Sequence, residues 1–340
     1  MSKVYFSKDL GKVLEKLDLS KLGKRVGIKL HFGEKGNVTY LKPEVAKKVY
    51  EYIKDKKKDL EKIALVECNV LYRGERMTRT SHIALAKEHG FGFADIDILD
   101  GEYGEETLTL KVEGGIVNEA KVGKGLERYD SLVVLTHFKG HVMAGYGGAF
   151  KNLGMGLGSR AGKLHMHANV SPKISKSQCT GCGTCIRNCG SDAIVMKNNK
   201  AEIINDKCTG CAMCIAVCPV GAVKIPWLSS TSSLLQKKIV DYSKAIIEYL
   251  NNRLVYINAL VNITKDCDCM GKKQKPIVED IGFLVSNDPV AIDKASLDLV
   301  NKATHHLFSM INVANKNLPT KYAESLSLGS SEYELINLDS

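Results

Sequence analysis

The chain has 340 residues, 44% hydrophobic and 25% charged, which is ordinary globular composition with room for about two domains and a core of its own. No apolar run is long enough to span a bilayer, and Met1 to Phe6 leads into a strand-like run without a secretory leader, so a cytoplasmic protein is expected. The formal charge is +10, yet the densest basic run, Lys54 to Lys62, is interleaved with acids at a helix end and argues against nucleic acid as a partner.

In chain order, Val26 to Phe32 reads as a strand, Glu44 to Lys57 as a helix, Ile63 to Glu67 as a strand and Arg79 to His89 as a helix. Further strands are expected at Asp95 to Leu99, Thr107 to Val112 and Ser131 to His137, the last apolar throughout, as in a sheet covered on both faces. From Gly140 to Gly162 eight of 23 residues are glycine, and Asn169 to Gln178 reads as a linker. Beyond a cysteine-rich segment, Ser232 to Leu250 reads as a helix, Leu254 to Ile263 and Ile281 to Val285 as strands, and Ala291 to Val300 as a helix capped by Asp288 with Pro289 in its first turn. The expected fold class is α/β, a Rossmann-like open sheet formed by residues 1–170 and 226–340, with a ferredoxin-like α+β module inserted at 171–225.

Eight of the eleven cysteines fall within residues 179–218. They form two copies of C-x2-C-x2-C-x3-C, one at Cys179, Cys182, Cys185 and Cys189 and the other at Cys208, Cys211, Cys214 and Cys218. In two-cluster ferredoxins the fourth cysteine of such a run ligates the other cluster. Two [4Fe–4S] clusters are therefore expected, one on Cys179, Cys182, Cys185 and Cys218, the other on Cys208, Cys211, Cys214 and Cys189. Structural zinc or incidental core cysteines are the alternatives, but zinc sites close with two separated pairs. Bound clusters would bring the net charge to about +6. Gly190 stands where the pattern has proline after the fourth cysteine, so that turn is expected to be looser.

Such a module needs about 60 residues, and the remainder must supply a partner surface or a reaction site. The candidates are His31, at the end of a strand; His137, Lys139 and His141; Lys151; and the pair Cys267/Cys269, whose i, i+2 spacing suits a metal clamp or a redox thiol pair. Gly147, Gly148, Asn152, Arg160 and Lys163 would receive an anionic ligand, although close packing explains glycine richness equally well. His165 and His167 would share one side of an extended chain as metal ligands or remain lone surface histidines. Cys68 reads as a core thiol, and Trp227 as a packing residue where the insertion rejoins the sheet.

Several blocks together resemble the family described as domain of unknown function 362, iron–sulfur-centre proteins of anaerobic bacteria and archaea. They are Lys29 to Glu34, Asn69 to Arg76, Thr136 to His141, Gly147 to Gly156, Ser159 to Lys163, Cys267-Asp268-Cys269 and Asp288 to Asp293. The resemblance implies an α/β domain with a dicluster insertion and names no reaction. Val66 to Tyr72 departs from that family's Thr-Asp-Thr-Asn-Thr-Leu-Tyr by losing hydroxyls and lengthening a carboxylate.

The leading expectation is an oxidoreductase that passes electrons from a low-potential protein partner through both clusters to a site in the α/β part, where a small anionic substrate or cofactor binds. Histidines would donate protons there, cations would hold the anion, and Cys267/Cys269 would bind an additional metal or exchange electrons. No flavin fingerprint is readable, and flavin is left open. A non-catalytic electron carrier or redox subunit, and a reductive activator or metal-delivery protein, are the alternatives.

Overall fold

The computed structural model describes residues 1–168, 170–312 and 314–339, with Leu228 described by its backbone alone. Asn169, where the linker was expected to begin, lies outside the described residues. Strand β1 (Ser2–Ser7) and the short helix α1 (Leu10–Leu14) open the chain, followed by β2 (Arg25–Lys29), α2 (Pro43–Lys56), β3 (Lys62–Glu67), α3 (Arg79–Glu88) and β4 (Ile96–Ile98). Pro43 starts α2 at a position where a missing N–H costs nothing, and the Thr78 hydroxyl caps α3 by accepting from Ser81 N–H at 3.2 Å.

Next come β5 (Thr107–Lys111), β6 (Glu119–Gly123), β7 (Ser131–His137), β8 (Lys139–His141) and β9 (Gly145–Gly147), then a π-helical turn at Lys151–Met155 and helix α4 (Arg160–His167). The cysteine-rich segment contains β10 (Lys173–Ile174), α5 (Thr184–Arg187), β11 (Ile194–Lys197), β12 (Lys200–Ile203), α6 (Met213–Val217) and β13 (Val223–Lys224). Helix α7 (Ser232–Tyr249), β14 (Leu254–Leu260), β15 (Gly282–Ser286), α8 (Pro289–Ala303) and, further on, β16 (Tyr333–Asn337) complete the strands and main helices. Asp288 caps α8, accepting from Val290 and Ala291 N–H groups at 2.8 and 2.9 Å.

Eight strands form one sheet in the order β16-β1-β15-β14-β7-β2-β3-β4. The neighbours from β14 to β4 are parallel, whereas β15 runs antiparallel to both β14 and β1. The fold is thus mixed α/β with a parallel-dominated sheet. Strands from before and after the cysteine-rich segment pair directly, since Leu254 to Ala259 of β14 lie beside Leu132 to His137 of β7. Every residue of β7 and β14 is buried, as their uninterrupted apolar character requires for strands covered on both faces. Two large cores lie on the two faces, one beneath α7 and α8 and the other beneath α1 and α2. Among the described residues no helix is long and apolar enough to cross a membrane.

Two expectations change, and one expected strand finds its partner outside the central sheet. Thr107 to Val112 does not join the central sheet: β5 pairs with β6 in a separate hairpin that packs against α7. Strand propensity does not specify the pairing partner, which is a non-local matter. His165 and His167 do not sit on one side of an extended chain, because Ser159 caps a helix over Arg160–His167 and turns the two rings apart. His165 reaches the Tyr242 hydroxyl at 2.9 Å, and His167 packs edge-on against Trp227. In the glycine-rich stretch, close packing accounts for several positions. A Cβ on Gly140, Gly154 or Gly162 would lie 2.0–2.2 Å from a backbone oxygen of another segment, and one on Gly156 would lie 2.5 Å from Lys29 Nζ.

Candidate functional site

Strand β2 is followed by β3 on one side, while β7 returns to its other side, so the order reverses between β2 and β7. Open α/β sheets bind ligands at the carboxyl ends of strands beside such a reversal. Here those ends carry Lys29 and His31 after β2, Glu67 after β3 and His137 after β7.

Lys29 and Glu67 form an almost fully buried ion pair at 2.8 Å. Lys29 Nζ also donates to Asn152 Oδ1 at 2.8 Å and to Leu30 O at 3.0 Å. The amide nitrogen of Asn152 donates to Leu135 O at 3.0 Å and to the Thr136 hydroxyl at 3.1 Å, stitching the π-helical turn to β7. Buried Arg76 completes the floor by donating to Glu34 at 3.2 Å, to the Tyr72 hydroxyl at 2.6 Å and to His31 Nε2 at 2.8 Å. Burial, then the charges of Arg76, Lys139 and Lys151, holds His31 well below the usual histidine range, and its ring is neutral.

Asp268 forms a second knot. Its Oδ2 lies 2.8 Å from both His137 Nδ1 and Lys139 Nζ, with all three side chains buried. His137 Nε2 lies 2.7 Å from the Val261 carbonyl oxygen, so each ring nitrogen faces an oxygen. Burial raises the Asp268 pKa, but His137 and Lys139 outweigh it and hold the carboxyl well below its ordinary range. Half-buried Lys151 has no ion-pair partner among the described residues. Burial, then the positive charge of Lys139, depresses it to about 7.

Because Asp268 turns inward, Cys267 and Cys269 on either side of it lie together, and their sulfurs are joined in a disulfide. A ring nitrogen of His141 and both sulfurs lie within 4.8 Å of one another, a group able to hold a metal ion once the sulfurs are free. The group thus brings together three of the residues expected to act there.

The other cysteines sort into two quartets. One cavity is lined by Cys179, Cys182, Cys185 and Cys218, and a second by Cys189, Cys208, Cys211 and Cys214. Each quartet takes three cysteines from one copy of the repeat and the fourth from the other. Backbone N–H groups of Ala193 and Ala222, each four residues after a fourth cysteine, donate to Cys189 and Cys218 sulfurs at 3.3 and 3.1 Å. Burial, then the neighbouring sulfurs of Cys211 and Cys208, pushes Cys214 up to about 12.

Two adjacent residues tie the first quartet to the disulfide. Tyr72 donates its hydroxyl proton to Cys269 O at 3.2 Å, and Arg73 Nη1 donates to Cys218 O and Pro219 O at 3.2 and 3.3 Å. Gly221 leaves room for this arm, since a Cβ there would lie 2.8 Å from Arg73 Nη1.

Arg160 and Lys163 are committed elsewhere, Arg160 to the carbonyls of Tyr103, Met77 and Leu71 and Lys163 to those of Gly156 and Gly158. Gly147 lies against the Lys139 side chain, and Gly148 against the Asp293 carboxylate. Cys68 is buried with its thiol on Leu157 O. Sequence reasoning missed Arg76, Glu34, Tyr72, Arg73 and Asp268 as site residues. For Asp268 a signal existed, a carboxylate between two cysteines, but its partners lie 129 and 131 residues away.

A search of curated proteins found no match. Among solved structures, the lactate racemase apoprotein from Thermoanaerobacterium thermosaccharolyticum aligns with TM-score 0.47 and 11% identity over 89% of this chain. A protein from Thermotoga maritima aligns with TM-score 0.43 and 14% identity, also over 89% of this chain. The chain spans 58% and 59% of those two proteins. The model of domain of unknown function 362 matches residues 26–298, and the chain belongs to that family.

Proposed function

We propose that the protein is an iron–sulfur oxidoreductase whose two cysteine quartets each hold a [4Fe–4S] cluster, within a ferredoxin-like insertion at residues 171–225. The observation that carries this reading is the sorting of eight cysteines into two cavities by exchange of the fourth cysteine between repeats. The residues fit the groups. Four cysteines line each cavity, backbone N–H groups donate to the Cys189 and Cys218 sulfurs, and positive-φ residues Gly181, Gly183, Gly210 and Ala212 bend the chain between the cysteines. When bound, such clusters supply one-electron transfer.

The chain's own residues then define the destination at the β2/β7 reversal. Lys151 attracts an anionic substrate, while Asp268 pairs with Lys139, contacts His137 and fixes the directions of both. Lys151, poised near neutrality, donates or accepts a proton at Nζ. A low-potential protein donor completes the scheme. The metal-capable group of His141, Cys267 and Cys269 favours a second reading, in which the reduced pair holds an additional soft metal. Iron and acid-labile sulfide analysis of anaerobically prepared protein tests the proposal: about eight irons per chain are expected, and about four would overturn it.

A further inference from the structure

The Cys267–Cys269 bond is poorly suited to be a structural staple. The chain-entropy benefit of a disulfide grows with the loop it closes, and this one joins residues two apart in sequence. What surrounds the bond is chemical. On one side Asp268 holds the loop inward through His137 and Lys139. On the other stands His141, whose Nδ1 accepts from Met143 and Ala144 N–H groups at 3.2 and 2.9 Å. That arrangement places the proton of the neutral ring on Nε2, and a ring nitrogen of His141 lies within 4.8 Å of both sulfurs. The backbone of Cys269 is joined through Tyr72 and Arg73 to the backbone of Cys218, a member of one cysteine quartet. Cys208 of the other quartet lines an open groove with His165 and Lys238.

We infer that Cys267–Cys269 is a redox-active disulfide, the two-electron terminus of the chain, reduced through the quartet that contains Cys218. The inference rests on the reading of both quartets as clusters. The balance closes without a further group. Two one-electron centres together supply two electrons, the S–S bond breaks, and two protons taken up from solvent give two thiols. A low-potential one-electron protein donor refills the clusters. Tyr72 and Arg73 act as positioning residues that hold Cys218 and Cys269 in fixed relation. The dithiol returns its two electrons and two protons to a two-electron acceptor, and the disulfide re-forms. Lys151, near enough to Asp268 and His141 to influence both electrostatically, favours an acceptor with an anionic group.

Anaerobic titration of the eight-iron, full-length protein with titanium(III) citrate tests the inference, with thiols trapped by iodoacetamide and mapped by mass spectrometry. The protein is expected to take up about four electrons per chain and to gain alkylation at Cys267 and Cys269, against about two electrons in a Cys267→Ser/Cys269→Ser variant. Arg73→Met is expected to slow thiol appearance at least about tenfold with iron content and cluster bleaching unchanged, and Arg73→Lys to restore part of the rate. A phosphine, which opens disulfides without clusters, separates the two claims. If phosphine frees both thiols but titanium(III) does not in eight-iron protein, the inference falls and the cluster reading stands. Fewer irons than about eight would remove the cluster reading itself. Two thiols already free in oxidised protein, held on a metal, would also overturn the inference.

Discussion

Lys29 Nζ and Glu67 Oε1 meet at 2.8 Å across adjacent parallel strands, with side chains only 1% and 4% exposed. Breaking a buried pair leaves the other charge without compensation, at a cost of about 3–5 kcal/mol. Glu67→Gln is expected to lower stability by about that amount in denaturant unfolding, and Lys29→Met combined with Glu67→Gln to recover more than half. Equal loss in single and double variants would show that Asn152 and Arg76, not the pair, carry the floor of the site.

Lys151 gives a pH signature. Its pKa is depressed to about 7 from 10.5, so between those values the unfolded chain binds more protons and folding stability rises with pH. Below about 7 both states are protonated and the full burial cost is present. The stability of the native protein relative to Lys151→Met is therefore expected to increase from about pH 7 to pH 10, by up to about 1.4 kcal/mol per unit. A difference independent of pH across that window would refute it.

Gly148 leaves space for Asp293, whose carboxylate accepts from Ala149 and Phe150 N–H groups at 2.6 and 3.2 Å and heads the turn that carries Lys151. A Cβ would lie 2.5 Å from both carboxylate oxygens. Gly148→Ala is expected to cost about 1–3 kcal/mol of stability, measured by thermal or denaturant unfolding. An unchanged midpoint would mean that the carboxylate moves freely.

Ala212 holds φ +61° between two cysteines, at the position where the first repeat has Gly183 at φ +72°. A side chain in this region costs about 1 kcal/mol that glycine escapes. Ala212→Gly is expected to stabilise residues 171–225 by up to about that amount, read by local hydrogen exchange. Slower exchange supports the strain argument, and faster exchange contradicts it.

Removing the Asp268 charge leaves the buried Lys139 ammonium, 2.8 Å from the carboxylate oxygen, without its ion-pair partner. Asp268→Asn is expected to cost about 3–5 kcal/mol of stability, measured by denaturant unfolding. An unchanged midpoint would show that Lys139 does not depend on the pair.

The amino-acid sequence by itself determined the two cysteine runs, because their spacing is covalent, and the caps and buried strands, because periodicity and capping act within a few residues. Asp288 and Pro289 announce α8, and the uninterrupted apolar run of Ser131 to His137 announces a covered strand. Only the tertiary structure decided that Thr107 to Lys111 leaves the central sheet, that Asp268 binds His137 and Lys139, and that Tyr72 and Arg73 join Cys269 to Cys218. Those relations depend on strand order, which brings together loop ends far apart in the chain, and no local pattern of residues records which strand lies beside which.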